Sequence, residues 1–204
     1  MMHIYGDLNS GNCLKVKYTA DALGLSYQWV PVDIMKGEAK TPAFLAMNDM
    51  AQVPVVELGD GRFLAQSNAI LRYLARGTNL LPEDAYRAAK VDELLFWEQY
   101  SHEPYIAVCR FQMVYLGKPA SALDPDKVKR GNDALDFMEQ RLTKQACAQE
   151  RFFVSDDLTI ADIALLAYTR LAGQGGFDLS QRKALTGWIR RCEETLRLES
   201  LPAE

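Results

Sequence analysis

Two residue pairs in the first half of the chain suit the binding of an extended, negatively charged peptide. Val53-Pro54 comes directly before the β-rich run Val55-Val56. Proline lacks the N–H that a strand ladder needs, so it belongs at a strand start, and an X-Pro bond is cis at modest cost. A cis bond would turn the backbone N–H and C=O of Val53 outward, where a peptide could pair like an added strand. The alternative is a trans proline that ends a loop.

Gln66-Ser67 forms the second pair, at the start of a predicted helix. A helix N-terminus presents unpaired N–H groups and positive dipole potential, so it binds a carboxylate, and the hydroxyl of Ser67 adds a further donor. The alternative is that Ser67 serves only as a helix N-cap. Together the two pairs predict a site for a peptide-like ligand that carries a carboxylate.

The elements that must position these pairs form a small α/β domain over residues 1–77. Short β-rich runs alternate with helical stretches in the order β-α-β, loop, β-β-α, and Gly59-Asp60-Gly61 supplies the turn of a hairpin. Strands are predicted over 2–5, 28–32, 54–58 and 62–66, and helices over 13–23 and 67–76.

Residues 85–204 predict a second, all-helical domain. Helical periodicity covers 85–115, 126–146, 159–171 and 185–196. Pro104 lies inside the first pattern and should kink or break it, because proline lacks an N–H and clashes with the preceding turn. Thr159-Ile160-Ala161-Asp162 predicts a capping box at the start of the third.

The composition of the chain argues against a nucleic-acid-binding protein, an exported protein and a membrane protein. The chain has 204 residues, is 49% hydrophobic and carries a formal charge of -4. Neither half has the basic excess typical of a nucleic-acid binder, and neither a signal peptide nor a membrane span is evident. The four cysteines are widely spaced, without a CxxC pair or metal-ligand spacing. We therefore expect reduced thiols, a cytoplasmic location and no metal.

Five runs, taken in order, resemble the cytosolic glutathione transferase family. They are SGNCLKV at 10–16, KTPAFL at 40–45, QVPVV at 52–56, LAQSNAILRYLA at 64–75 and LTIADIA at 158–164. The resemblance implies a thioredoxin-like α/β domain followed by an all-helical domain, with glutathione as co-substrate. It is nearest to the serine-type bacterial members of theta or nu character.

The resemblance also implies how glutathione is held. The binding residues it implies are Lys40, Gln52, Val53, Pro54, Gln66 and Ser67. Val53 would bond the cysteinyl backbone, with Pro54 as the cis-proline of the family. Gln66 and Ser67 would hold the γ-glutamyl carboxylate and amine, and Lys40 would reach the glycyl carboxylate. A lysine and a helix N-terminus thus offer positive potential to the two carboxylates of glutathione.

Ser10 is the residue we expect at the glutathione sulfur. A hydroxyl that donates to S⁻ lowers the pKa of the thiol, and the thiolate is the nucleophile. Tyr5 is one rival, because some classes use a tyrosine near the first strand. Asn12 is a second, because nu-class enzymes place an asparagine here and favour disulfide reduction. Cys13 is a third: some bacterial members form a mixed disulfide with glutathione, and a helix start would depress the pKa of this thiol. The alternative is that Cys13 is simply a small buried apolar residue.

The second substrate is expected in the helical domain. By the resemblance, Tyr105, Val108 and Phe111 would line a hydrophobic site for a small apolar electrophile. The alternative is that this aromatic stripe belongs to the core.

The resemblance implies that the chain is a glutathione transferase, for which the family implies a homodimer. The rivals are a glutathione-dependent disulfide reductase and a non-catalytic binding protein of the same fold.

Two departures from the family pattern stand out. The loop reads Asn48-Asp49-Met50-Ala51 where many members have Asn-Pro, and Gln66 stands where an acidic residue is usual.

Overall fold

A four-stranded mixed sheet forms the first part of the molecule. The computed structural model describes residues 1–147 and 149–199, and the chain divides into two compact units, Met1–Gly77 and Thr78–Glu204. The strands are β1 (Met2–Gly6), β2 (Tyr27–Pro31), β3 (Val55–Glu57) and β4 (Phe63–Ala65), in the spatial order β2-β1-β3-β4. β1 runs parallel to β2 and antiparallel to β3, and β3 and β4 form the predicted hairpin. The thioredoxin-like prediction is confirmed.

The helices of this unit place the two chain segments that carry the candidate site. They are α1 (Gly11–Ala22), α2 (Pro42–Leu45) and α3 (Ser67–Leu74), and α1 packs against α3. α1 follows β1 and α3 follows β4; these two strands run in the same direction with β3 between them, so both helices begin at the same edge of the sheet. This packing brings the first turns of α1 and α3 into hydrogen-bonding distance.

A polar loop was expected between β2 and β3, but part of it is helical. A 3-10 turn covers Glu38–Lys40, and α2 follows it. The Oγ1 of Thr41 accepts a hydrogen bond of 3.3 Å from the backbone N–H of Phe44, which caps α2, and Phe44 is buried beside Val32. A four-residue helix is too short to show a periodic pattern, so local capping and one buried ring establish it.

The second unit consists of helices. They are α4 (Ala85–Trp97), α5 (Glu103–Val114), α6 (Pro125–Cys147), α7 (Ile160–Thr169) and α8 (Lys183–Leu196). The predicted break at Pro104 is confirmed, because Pro104 stands in the first turn of α5 and a π-helical turn, Glu98–His102, separates it from α4. Within the described ranges, no helix has the length and apolar character needed to cross a bilayer.

α7 lies at the centre of the helical unit, and every one of its residues is buried. The predicted capping box is confirmed: Oδ2 of Asp162 accepts from the backbone N–H of Thr159 at 3.0 Å. Oδ1 of Asp162 accepts from the indole N–H of Trp188 and the backbone N–H of Phe153, both at 3.0 Å. One buried carboxylate therefore joins the start of α7 to α8 and to the loop before α7.

Candidate active site

Ser10 is the residue before α1, and its half-buried side chain is not used as a cap. Its backbone is extended (φ -84°, ψ 120°), and its hydroxyl makes no capping hydrogen bond with the described residues. The hydroxyl is instead hydrogen-bonded to the thiol of Cys13, one turn further on. Ser10 therefore stands at the N-cap position of α1, where its backbone oxygen accepts from the N–H of Leu14 at 2.9 Å, but its hydroxyl takes no part in the cap.

Cys13 is a buried packing residue. Its Sγ accepts a hydrogen bond of 3.4 Å from the backbone N–H of Asp7, and a Cβ on Gly6 would stand 2.9 Å from that sulfur. Burial raises the pKa of the Cys13 thiol to about 11, although its hydrogen bonds act in the opposite direction. The expectation of a depressed pKa is wrong, because desolvation outweighs the two hydrogen bonds that favour the thiolate.

Tyr5 is held by a hydrogen bond to β3 and by packing against the core of the first unit. Its hydroxyl donates a hydrogen bond of 2.9 Å to Oε2 of Glu57 on β3, and its ring packs beside Phe44 and Val55. Desolvation, together with the Glu57 carboxylate, raises the pKa of Tyr5. This arrangement gives Tyr5 a packing role at the end of β1.

Ser67 is the first residue of α3, and Gln66 is the N-cap residue. The alternative in which Ser67 acts as the N-cap is therefore wrong. The side chain of Ser67 is nearly buried, and its Oγ donates a hydrogen bond of 3.1 Å to Oδ1 of Asn12. Two residues that lie 55 positions apart in sequence, both predicted site residues, thus meet where α1 and α3 begin.

Lys15 is a third member of this contact, and the sequence analysis missed it. Its side chain is completely buried, and its Nζ donates a hydrogen bond of 2.9 Å to the same Oδ1 of Asn12. The available signal was a lysine one helical turn after Asn12, between apolar residues of a helix predicted to pack on the sheet. A buried lysine needs polar partners, so this position points to a polar cluster.

The Val53–Pro54 peptide bond is cis, as the resemblance implies. Pro54 is buried, and the backbone of Val53 is hydrogen-bonded to none of the described residues. The loop that departs from the family pattern is held by Asn48, whose Nδ2 donates a hydrogen bond of 2.8 Å to the backbone oxygen of Gln52. The side chain of Gln52 is exposed.

Gln66 adopts a backbone conformation that non-glycine residues rarely occupy, with φ 68° and ψ 108°. Such a conformation costs free energy, and residues that adopt it cluster at binding sites. The exposed side chain donates from Nε2 to Sδ of Met50 at 3.4 Å, which joins the loop before the cis bond to the start of α3.

Lys40 stands apart from this group. It ends the 3-10 turn Glu38–Lys40, and its side chain is exposed. Within residues 1–147 and 149–199 its ammonium makes no hydrogen bond or ion pair. The contacts in the structure therefore join Asn12 with Ser67 and Gln66 with Met50, and they leave Lys40 outside both pairs.

In the helical unit, Tyr105, Val108 and Phe111 lie on one partly exposed stripe of α5, whereas Ile106 and Cys109 are buried. The stripe is therefore not core. Its polar edge is formed by the Tyr105 hydroxyl, which accepts from Nη1 of Arg130 at 3.0 Å. Its aromatic part includes Tyr115, whose ring stacks on Phe111 at 4.9 Å between centroids.

The part of the chain that the structure describes contains no cluster of three or more His, Cys, Asp or Glu side chains that could hold a metal ion.

Comparison with known proteins identifies relatives over nearly the whole chain. The family model "Glutathione S-transferase, N-terminal domain" matches residues 1–76, and "Glutathione S-transferase, C-terminal domain" matches residues 102–195. The crystal structure of glutathione S-transferase from Pseudomonas fluorescens [Pf-5] is 45% identical with a TM-score of 0.88, and the match covers 94% of each chain. A second, from Xanthobacter autotrophicus Py2, is 40% identical with a TM-score of 0.87 and covers 100% of this chain and 95% of that one. Glutathione S-transferase 3 of Zea mays is 32% identical over 170 residues, which is 79% of this chain and 73% of the relative.

Proposed function

The chain belongs to the glutathione S-transferase family, and we propose that it ionises glutathione at Ser10 and Asn12 and transfers it to small apolar electrophiles. In this reaction the thiolate sulfur forms a bond to an electrophilic carbon. The leaving group departs with the bonding electron pair, and the thiol proton passes to solvent. The enzyme contributes by orienting the two substrates and by stabilising the thiolate.

The position of Ser10 is the observation that supports this chemistry most directly. Its hydroxyl is half-buried at the start of α1 and is bonded to the Cys13 thiol instead of to a capping N–H. A hydroxyl at a helix start can donate to a bound S⁻, and both the bond and the helix dipole favour the anion. Asn12, in the first turn of the same helix, supplies a second donor. Ser10 and Asn12 are the proposed catalytic residues.

The rest of the first unit would hold the glutathione peptide. We assign Val53 to the cysteinyl backbone, because its backbone groups beside the cis bond are hydrogen-bonded to nothing within residues 1–147 and 149–199. Gln66 and Ser67, at the start of α3, are assigned to the γ-glutamyl end. Lys40 is assigned to the glycyl carboxylate, which its exposed ammonium suits as a surface charge.

The electrophile is assigned to the stripe Tyr105, Val108 and Phe111. A stripe of aromatic and aliphatic side chains that is partly exposed on α5 provides apolar contact area. Apolar walls discriminate weakly between shapes, so we expect activity toward several aromatic electrophiles.

A homodimer in the cytoplasm completes the proposal. Exposed aromatic side chains on α4 and the turn after it would be costly in a monomer, and the largest exposed fractions are 76% for Phe96 and 83% for Tyr100. Sedimentation of the purified protein tests the dimer, and cell fractionation tests the location.

The decisive experiment compares the pH dependence of glutathione conjugation to a generic aromatic halide in the wild type and in Ser10→Ala, Asn12→Ala and Cys13→Ala. The Tyr5→Phe variant serves as a control, because its hydroxyl is bonded to Glu57. We expect Ser10→Ala to shift the pH profile upward and to lower the rate at neutral pH. Tyr5→Phe and Cys13→Ala should keep the wild-type profile.

Reduction of a model disulfide is measured on the same samples. Poor conjugation together with disulfide reduction that Asn12→Ala abolishes would replace the transferase proposal with a disulfide reductase. Failure of the wild type to bind a glutathione resin would indicate a non-catalytic protein of the same fold.

A further inference from the structure

Asn12 receives two hydrogen bonds on one atom. The Nζ of Lys15 lies 2.9 Å from Oδ1 of Asn12, and the Oγ of Ser67 lies 3.1 Å from the same oxygen. Lys15 is completely buried and Ser67 is 5% exposed. Oδ1 of Asn12 therefore lies between α1 and α3, enclosed by buried side chains, and one of its two donors is the ammonium of Lys15.

These two donors determine which way the Asn12 amide faces. Lysine has three N–H donors and no acceptor, so it can pair only with the oxygen end of an amide. A rotated amide would place the Nδ2 hydrogens against the ammonium, which is repulsive. The buried lysine thus holds Oδ1 inward, and Nδ2 is the end of the amide on the opposite side.

A cation at the carbonyl oxygen also changes the donor strength of the amide. Hydrogen bonds in a low-dielectric setting polarise one another along a chain, and a charged donor makes the strongest bond. Electron density drawn toward Oδ1 makes the Nδ2–H groups more acidic. An N–H group polarised in this way binds an anion more strongly than an isolated amide does.

We propose that Lys15 is a positioning residue for the transfer reaction: it orients and polarises the Asn12 amide so that Nδ2 donates to the glutathione sulfur. This inference rests on the proposed function, in which Asn12 is the second donor to that sulfur. Lys15 does not touch the substrate and acts through Asn12. Two consecutive hydrogen bonds, from Lys15 to Asn12 and from Asn12 to the sulfur, allow the charge of the buried lysine to stabilise the thiolate.

The test measures the pKa of the glutathione thiol bound to the enzyme, from the ultraviolet absorbance of the thiolate. Lys15→Met removes the cation and keeps a side chain of similar length. We expect the pKa of the bound thiol to rise by about one unit, which corresponds to roughly a tenfold loss of kcat/KM below the pKa that is regained at higher pH. Lys15→Arg keeps a cation and should recover part of the shift.

Lys17→Met is the matched control. Lys17 lies on the same helix but is partly exposed and bonds Asp21 and Tyr27 on the outer side. Its replacement should leave the pKa of the bound thiol unchanged. A double-mutant cycle completes the set: in an Asn12→Ala background, Lys15→Met should add nothing to the shift in thiol pKa.

Lys15→Gln decides the question if Lys15→Met fails to fold. A glutamine amide can still donate to Oδ1 of Asn12 but carries no charge, and it adds no carboxylate that would itself raise the thiol pKa. We expect a raised thiol pKa, and an unchanged value overturns the inference. A Lys15→Met protein that folds, loses only stability and keeps the thiol pKa of the wild type also overturns it.

The result also separates this inference from the proposed function. Where the wild type lowers the thiol pKa and Ser10→Ala reverses the effect, but Lys15→Met does not, only the inference fails. Where the wild type leaves the thiol pKa at the value of free glutathione, the proposed function fails and the inference with it.

Discussion

Ser67 at the start of α3 donates its hydroxyl proton to Oδ1 of Asn12 at the start of α1, across 3.1 Å. A hydroxyl carries one proton, so it can donate to one acceptor at a time. A γ-glutamyl carboxylate bound at the α3 N-terminus would compete with Asn12 for that proton. The two ends of the proposed site, the sulfur and the γ-glutamyl group, are therefore coupled through one side chain.

Removal of this hydroxyl should weaken glutathione binding. We expect Ser67→Ala to raise the Kd for glutathione by about tenfold or more, because a hydrogen bond to a charged group contributes roughly 1.5–3 kcal/mol. Titration calorimetry measures the effect, with Ser26→Ala as a control at an exposed position of the same unit. Equal affinity in Ser67→Ala and wild type would remove Ser67 from the site.

The four cysteines should differ sharply in reactivity. Only the thiolate is alkylated. Cys13 has a pKa raised to about 11 by burial, Cys109 and Cys192 are also buried, and Cys147 is exposed. We therefore expect iodoacetamide at mildly alkaline pH to label native protein at Cys147 alone, and denatured protein at every cysteine. Mass spectrometry of the peptides reads the result, and rapid labelling of native Cys13 would contradict its burial.

Gln66 should be a site where stability and binding are in conflict. Glycine adopts a positive φ without the steric cost that other residues bear. The unfolding free energy of Gln66→Gly should therefore exceed that of Gln66→Ala by about 1 kcal/mol, and its unfolding temperature should be higher. Both variants lack the amide side chain and should lose glutathione affinity to a similar degree. A Gln66→Gly protein no more stable than Gln66→Ala would show that the conformation carries no strain.

Asp162 should be among the residues most important for the stability of the helical unit. Each of its oxygens accepts two hydrogen bonds, and the Trp188 and Phe153 donors are both 3.0 Å from Oδ1. In Asp162→Asn an NH₂ group must face donors, which should destabilise the protein by about 3 kcal/mol. Urea unfolding measures the loss. Asp157→Asn, at a nearby exposed position, should lie within about 0.5 kcal/mol of wild type.

The α5 stripe should affect the electrophile and not glutathione. We expect Tyr105→Ala to raise KM for an aromatic electrophile several-fold and to leave KM for glutathione unchanged, because an aromatic ring contributes apolar contact. Tyr105→Phe keeps the ring and removes only the bond from Arg130, so its effect should be smaller. Tyr86→Ala, at a strongly exposed position of α4, is the control. An unchanged KM for the electrophile in Tyr105→Ala would exclude the stripe as its site.

The sequence was sufficient where the signal is local and regular. Alternation and turn chemistry identified the four strands, and the Gly59-Asp60-Gly61 turn identified the hairpin. Long helical periodicity identified α4 to α8, and Pro104 identified the break before α5. The capping box at Thr159 and Asp162 was also predictable from the sequence, because its two members are only three residues apart.

Short elements and backbone conformations were harder to predict. The helix α2 has four residues, fewer than the helical pattern needs to repeat. Gln66 has a positive φ, but glutamine has no preference for this conformation, so the residue type does not predict it. Ser67 looked like an N-cap, but Gln66 occupies that position because the chain turns one residue earlier.

By itself the sequence determined the two-part organisation, the strand and helix order, and which residue types stand near the start of α1 and α3. Only the tertiary structure decided which of them meet. It bonds Ser67 and Lys15 to one oxygen of Asn12, bonds Tyr5 to Glu57 across the sheet, and buries Cys13 so that its pKa rises. The physical reason is that hydrogen bonding and desolvation depend on neighbours distant in sequence, whereas propensity and periodicity report only on neighbours along the chain.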